Sequence, residues 1–149
     1  MRAGLLMVFQ NFMDTITDRE AYERDVYLAG LAEPLGFDTL SGVEHHFFNY
    51  AMAPDNTQFL SYMAAVTNRI KLLTGAVILP WNNPLRVVEK MILLDHLSKG
   101  RAVFGIGRGL AKREYDRFGI DMNEARDRFD EGAEMIMRGL ETGIVEGEG

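Results

Sequence analysis

The 149-residue chain carries 16 lysines and arginines against 22 aspartates and glutamates, a net charge of -6 with no basic cluster, which argues against nucleic acid or an anionic membrane as partner. Cysteine is absent, which excludes disulfides, thiolate metal ligands and a cysteine nucleophile and is compatible with a reducing, cytoplasmic setting. The apolar start is too short for a secretory signal, and no run approaches the roughly 20 apolar residues of a membrane span.

Leu5-Leu6-Met7-Val8-Phe9 is apolar throughout, the pattern of a strand buried on both faces of a parallel sheet. Asp18 is expected to cap a helix in which Ala21, Val26, Leu28, Ala29 and Leu31 recur at helical spacing, and Pro34 and Gly36 end it. A second strand over 38–43 follows, then a loop over 49–56 and a helix over 57–68 carrying Phe59, Leu60, Met63, Ala64 and Val66. Residues 70–79 read as a third strand. Pro84 suits the first turn of the next helix, which runs to about residue 97 with Val87, Val88, Met91, Ile92 and Leu94 on its buried side. Residues 101–107 form the fourth strand, and helical segments follow Gly109 and again span 123–140, before a polar, glycine-rich stretch over 141–149.

Four strand-helix units without a hairpin signal predict an α/β fold with a parallel sheet. A (β/α)8 barrel needs about twice this length, so the chain reads as one domain over 1–149 corresponding to the N-terminal half of such a TIM barrel. The competing architecture is a small doubly wound four-stranded sheet, complete in itself.

The second strand ends in Glu44-His45-His46. Adjacent strand residues face opposite ways, so the two histidines cannot both enter the core. Polar groups just past a strand's carboxyl end are the active-site pattern of α/β folds, and histidine titrates near neutrality. The bland alternative is one core histidine and one solvated loop histidine. His96, far from any strand end, reads as structural. Gly105-Ile106-Gly107-Arg108-Gly109 is a glycine turn that lacks the spacing of a dinucleotide fingerprint.

In order along the chain, Phe37-Asp38-Thr39 with Glu44-His45-His46-Phe47, Thr74-Gly75-Ala76-Val77-Ile78-Leu79-Pro80, Leu94-Asp95-His96-Leu97-Ser98-Lys99-Gly100-Arg101 and Phe104-Gly105-Ile106-Gly107-Arg108-Gly109-Leu110 together resemble the bacterial luciferase-like flavin-dependent monooxygenases. The resemblance implies reduced FMN as cofactor, with a deazaflavin coenzyme as the alternative, and no metal. It implies O2 and a small organic substrate such as a long-chain aldehyde, a flavin reductase as supplier, and a homo- or heterodimer formed through the helices over 57–68 and 84–97.

By the same resemblance His45 does acid-base work, His46 lines or orders the pocket, and Glu44 orients an imidazole or forms a salt bridge inside the barrel. Gly75 and Ala76, joined by a cis peptide, lie under the flavin ring. Gly107 and Gly109 allow close approach, Arg108 grips phosphate with amides near Leu110 beside it, and Glu114 is an acid near the flavin or a solvated helix carboxylate. Three positions depart from the luciferase pattern: Gly107 replaces a reactive cysteine, Ser41 a tryptophan and Asn83 a histidine. Substrate identity and light emission are therefore open. The missing second half implies that the chain is a fragment of a longer enzyme or assembles with a copy or partner, since open sheet edges invite pairing. A non-catalytic flavin-binding or assembly subunit is the alternative function.

Overall fold

The computed structural model describes residues 1–147. Six strands and five helices follow one another as β1 (Gly4–Met7), α1 (Asp18–Leu31), β2 (Thr39–Gly42), α2 (Asn56–Val66), β3 (Lys71–Thr74), β4 (Val77–Ile78), α3 (Pro84–Ser98), β5 (Ala102–Val103), β6 (Ile106–Gly107), α4 (Lys112–Phe118) and α5 (Ala125–Thr142). Short 3-10 turns at Leu79–Trp81 and Met122–Glu124 precede α3 and α5. The last two residues of the glycine-rich stretch, 148 and 149, lie outside the described residues.

β1, β2, β3 and β5 pair in parallel in that order, and β4 pairs in parallel with β6. Strictly sequential order is that of a barrel arc. A doubly wound sheet reverses direction at a switch point, so that competing architecture is excluded. Register aligns Leu5, Leu40, Leu72 and Ala102 in one row and Leu6, Ser41, Leu73 and Val103 in the next. Side chains alternate between faces. In the first row Leu40 and Leu72 are buried with Leu60, Met63 and Leu94 of the helices, and Leu5 and Ala102 pack against them partly buried. On the other face Leu6 is 53% exposed and Val103 38%. The expectation that strand one is buried on both faces therefore fails at Leu6, because no described element covers that side.

The third and fourth strands are each split in two. After Thr74 and after Val103 the ladder is interrupted, and the Thr74 side chain replaces it: Oγ1 donates to the Gly105 carbonyl (2.9 Å) and accepts from the Gly105 N–H (2.8 Å). Pairing resumes when Val77 N–H donates to the Gly105 carbonyl (2.9 Å). A Cβ at Gly105 would strike the Thr74 carbonyl, so only glycine permits this approach.

Helix caps shift by a residue from expectation. Thr17, not Asp18, caps α1: its hydroxyl accepts from Glu20 N–H (3.2 Å) while the Glu20 carboxylate accepts from Thr17 N–H (2.8 Å), a reciprocal capping box. Asp18 instead accepts from the Asn11 amide (2.9 Å). Asp55 caps α2 and Asn83 caps α3. Leu28, Val66 and Ile92, expected on inward stripes, are exposed because the turn angle of their helices carries them off the face that packs.

The amino ends of the strands are fastened by Arg101, which is 8% exposed. Its guanidinium makes five hydrogen bonds, to the carbonyls of Ser98, Ile70, Ala64 and Thr67 and to the Thr67 hydroxyl, joining the ends of α2 and α3 to the start of β3. Nearby, the Glu33 carboxylate accepts from the N–H groups of Asn68, Arg69 and Ile70 at 3.1, 2.6 and 2.8 Å.

Candidate active site

At the opposite, carboxyl ends of the strands, the loops after β2, β3 and β6 converge on one cavity of about 420 Å3. Among its lining residues are Glu44, His45, Gly75, Ala76, Arg108 and Glu114, with Gly107, Gly109 and Leu110 along the same wall. Ten positions were singled out by sequence, and the cavity gathers all of them except His46.

His45 and His46 part as strand alternation requires. His45 Nδ1 lies 3.1 Å from Glu114 Oε1, and the same oxygen accepts from the His46 backbone N–H at 2.7 Å. Glu114 Oε1 thus meets both the His45 ring and the His46 backbone, and Nε2 is the His45 ring nitrogen without a partner among the described residues. Glu114 is 1% exposed, so the solvated alternative for it is overturned: α4 turns it inward onto the β2 loop. The His46 ring faces a second, smaller space of about 110 Å3 shared with Trp81, Asn82 and Phe118. It packs edge-on against Phe118 (4.8 Å) and Trp81 (5.9 Å), so it orders the site without lining the main cavity.

Glu44 is 6% exposed and accepts from Ile78 N–H (3.0 Å), Trp81 Nε1 (2.6 Å) and Asn82 Nδ2 (2.9 Å), with His46 Nε2 3.3 Å away. It ties the strand-two loop to the turn after β4, and the imidazole it meets is that of His46. The Gly75-Ala76 peptide is cis. Asn56, buried at the start of α2, donates to the Ala76 carbonyl (2.9 Å) and the Gly42 carbonyl (3.2 Å), fixing the cavity floor from behind. The hydroxyl of Ser41, packed against Gly75, has no partner among the described residues.

The Arg108 side chain is exposed, and no carboxylate pairs with it among the described residues. Its carbonyl accepts from the hydroxyl of Tyr115, which is fully buried. Burial pushes the Tyr115 hydroxyl up, Arg108 pulls it down and Glu114 adds to the rise, so the group stays a protonated donor. Gly109 has φ of +78°, a left-handed value that suits glycine, and a Cβ there would lie 2.9 Å from Trp81. Helix α4 begins at Lys112, so Leu110 is an exposed loop residue ahead of it rather than part of a helix start.

Sequence reasoning missed Tyr115, Trp81, Asn82 and Asn56. Each acts through a hydrogen bond made across the fold, which is invisible in one sequence. Among the described residues no group of histidines and carboxylates has metal-binding geometry, and no helix is long and apolar enough to cross a membrane.

A parallel strand-helix arc with polar groups and a glycine turn gathered at the strands' carboxyl ends is the architecture of a barrel-type enzyme site. The chain belongs to the luciferase-like monooxygenase family, whose model matches residues 1–149. It is 34% identical over 147 residues to the alkanal monooxygenase alpha chain of Photorhabdus laumondii subsp. laumondii, an alignment covering 95% of this chain and 41% of that protein. Among solved structures, monooxygenase RslO1 from Streptomyces bottropensis superposes with a TM-score of 0.86 at 37% identity, covering 93% of this chain and 42% of that one. The oxygenating constituent of 3,6-diketocamphane monooxygenase from Pseudomonas putida, solved with FMN, shares the fold with a TM-score of 0.82 at 21% identity, covering 91% of this chain and 39% of that one. The chain thus spans about two fifths of the length of the relatives it matches.

Proposed function

We propose that this chain forms one half of the site of a reduced-FMN-dependent monooxygenase that uses O2 to oxidise a small organic substrate such as a long-chain aldehyde. The observation that carries the reading is the single cavity shared by His45, Glu114, the Gly75-Ala76 floor and the Arg108 turn. Its donor set fits a flavin mononucleotide: Gly75, Ala76 and Ile78 offer a small, apolar surface for a flat ring, and an Arg108 side chain without a carboxylate partner suits a phosphate. When bound, reduced flavin supplies the electrons that activate O2.

In this reading the chain's own residues bind, orient and move a proton. Glu114 holds the His45 ring by Nδ1, so that Nε2 can take or give a proton at the reacting centre. Glu44 keeps Trp81 and Asn82 closed behind the floor, which excludes water from that side. The Glu44-His45-His46 sequence favours FMN over a deazaflavin by family resemblance. A flavin reductase would supply the reduced cofactor. Dimerisation through α2 and α3 is supported by their exposed Val66, Leu85, Ile92, Leu93 and Leu97.

The test compares FMN with riboflavin, which lacks the phosphate, by quenching of flavin fluorescence. Arg108→Met is expected to weaken FMN about 10- to 100-fold, the worth of a charge-assisted pair, and to leave riboflavin unchanged. Equal losses for both would remove Arg108 from the phosphate. Adding reduced FMN, O2 and a long-chain aldehyde then separates the two functional classes: acid product means monooxygenase, whereas binding without turnover means a flavin-binding or assembly subunit.

A further inference from the structure

A second space of about 420 Å3 lies outside the sheet, between α1 and α2 and over the carboxyl ends of β1 and β2. Its walls are Phe9, Tyr22, Val26, Met52, Phe59 and Tyr62. Phe9 stands edge-on to Phe59 at 4.9 Å and lies 5.3 Å from Tyr22, so the aromatic rings brace one another instead of filling the gap. An open apolar cleft forfeits the dispersion contacts that a close-packed interior makes, and its volume falls in the range of ~300–1,000 Å3 typical of small-molecule sites.

The polar groups around it are almost all spent. Glu23 pairs with Arg19 (2.8 Å) and Asp55 with Lys90 (2.7 Å). The Tyr22 hydroxyl donates to the Met52 carbonyl, and the Asn56 amide donates to Gly42 and Ala76. Among the described residues this leaves the Gln58 amide and the Tyr62 hydroxyl as the lining groups without a partner. With no uncompensated charge to meet an ionic headgroup, the chemistry that fits is a neutral molecule with an apolar body and one or two hydrogen-bonding groups.

We propose that the cleft between α1 and α2 binds such a neutral, largely apolar small molecule at a site separate from the flavin cavity, with Val43 as the wall the two share. The assignment is independent of the flavin reading: Val43 is the one residue lining both spaces, and the Asn56 amide, which holds the flavin-cavity floor from behind, is spent on that contact.

The test titrates the 149-residue chain with the neutral probe N-phenyl-1-naphthylamine and follows its fluorescence. Saturable binding is expected, with 1-decanol displacing the probe at least about tenfold more effectively than decanoate, whose charge has no partner here. Val26→Phe fills the cleft from α1 and is expected to weaken the probe about tenfold with the circular dichroism unchanged. Should that variant fail to fold, Tyr62→Ala removes an exposed aromatic wall and is expected to cost about 3- to 10-fold. Leu6→Glu, on the other face of the sheet, leaves binding intact. Unsaturable binding, equal displacement by decanoate, or a probe lost in Leu6→Glu and retained in the cleft variants would overturn the assignment.

Discussion

At the scale of single residues the site is an arrangement of positioners around one imidazole. His45 owes its orientation to Glu114, 69 positions away in sequence, and the Arg108 turn owes its shape to the hydroxyl of Tyr115. His45→Asn is therefore expected to lower oxidation about 10²- to 10⁴-fold in turnover assays while FMN affinity measured by titration stays within about twofold. A parallel loss of affinity would make His45 a binding residue. Tyr115→Phe leaves the Arg108 carbonyl without its donor, and chemical denaturation is expected to show about 1 kcal/mol of lost stability. Of the residues that touch the cavity, Glu44 and His45 were legible because a strand's polar end announces itself locally, whereas Gly75, Ala76, Arg108 and Glu114 were reached through family likeness. The residues that hold them were not: nothing in Tyr115 as a letter says that it is buried, or in Trp81 that its ring nitrogen meets Glu44.

At the scale of elements, caps and crossings decide stability. Burial pushes the Asp55 carboxyl up, but its bonds to Lys90, Thr57 and the Gln58 N–H outweigh that and hold it below the ordinary value. For Glu33 burial likewise acts upward, and the N–H groups of Ile70, Arg69 and Asn68 prevail. A carboxyl depressed in the folded state binds its proton more readily when unfolded, so its contribution is present above the ordinary carboxylate range and is lost as pH falls through the folded value. Urea midpoints are thus expected to fall with acidification, and Glu33→Gln to flatten that slope; an unchanged slope would remove Glu33 from the account. Arg101→Met strands carbonyls at the ends of α2 and α3, and a loss of about 2–4 kcal/mol is expected in denaturation experiments. Periodicity predicted these elements well, since hydrophobic spacing is a local property. It missed the breaks after Thr74 and Val103 because a side chain standing in for a ladder bond has no periodic signature.

At the scale of the molecule, the four-stranded order and the exposed Leu6 and Val103 describe an arc whose inner face is half clothed. Concentration-dependent association of the chain is the expected result in sedimentation velocity, and a single monomeric species at every concentration would argue against it. The strand-helix alternation revealed this architecture in advance, because parallel crossovers need long connections that any reader of the chain can count. The amino ends of the strands are tied around Arg101 and Glu33, and at the far rim the buried Glu44 and Asn56 fasten the loops while the groups with chemistry to do face the cavity. Variation is thereby partitioned: libraries that randomise the exposed tips beyond β2 and β6 should retain cooperative melting, and selection can retune what the protein recognises without renegotiating how it stands up.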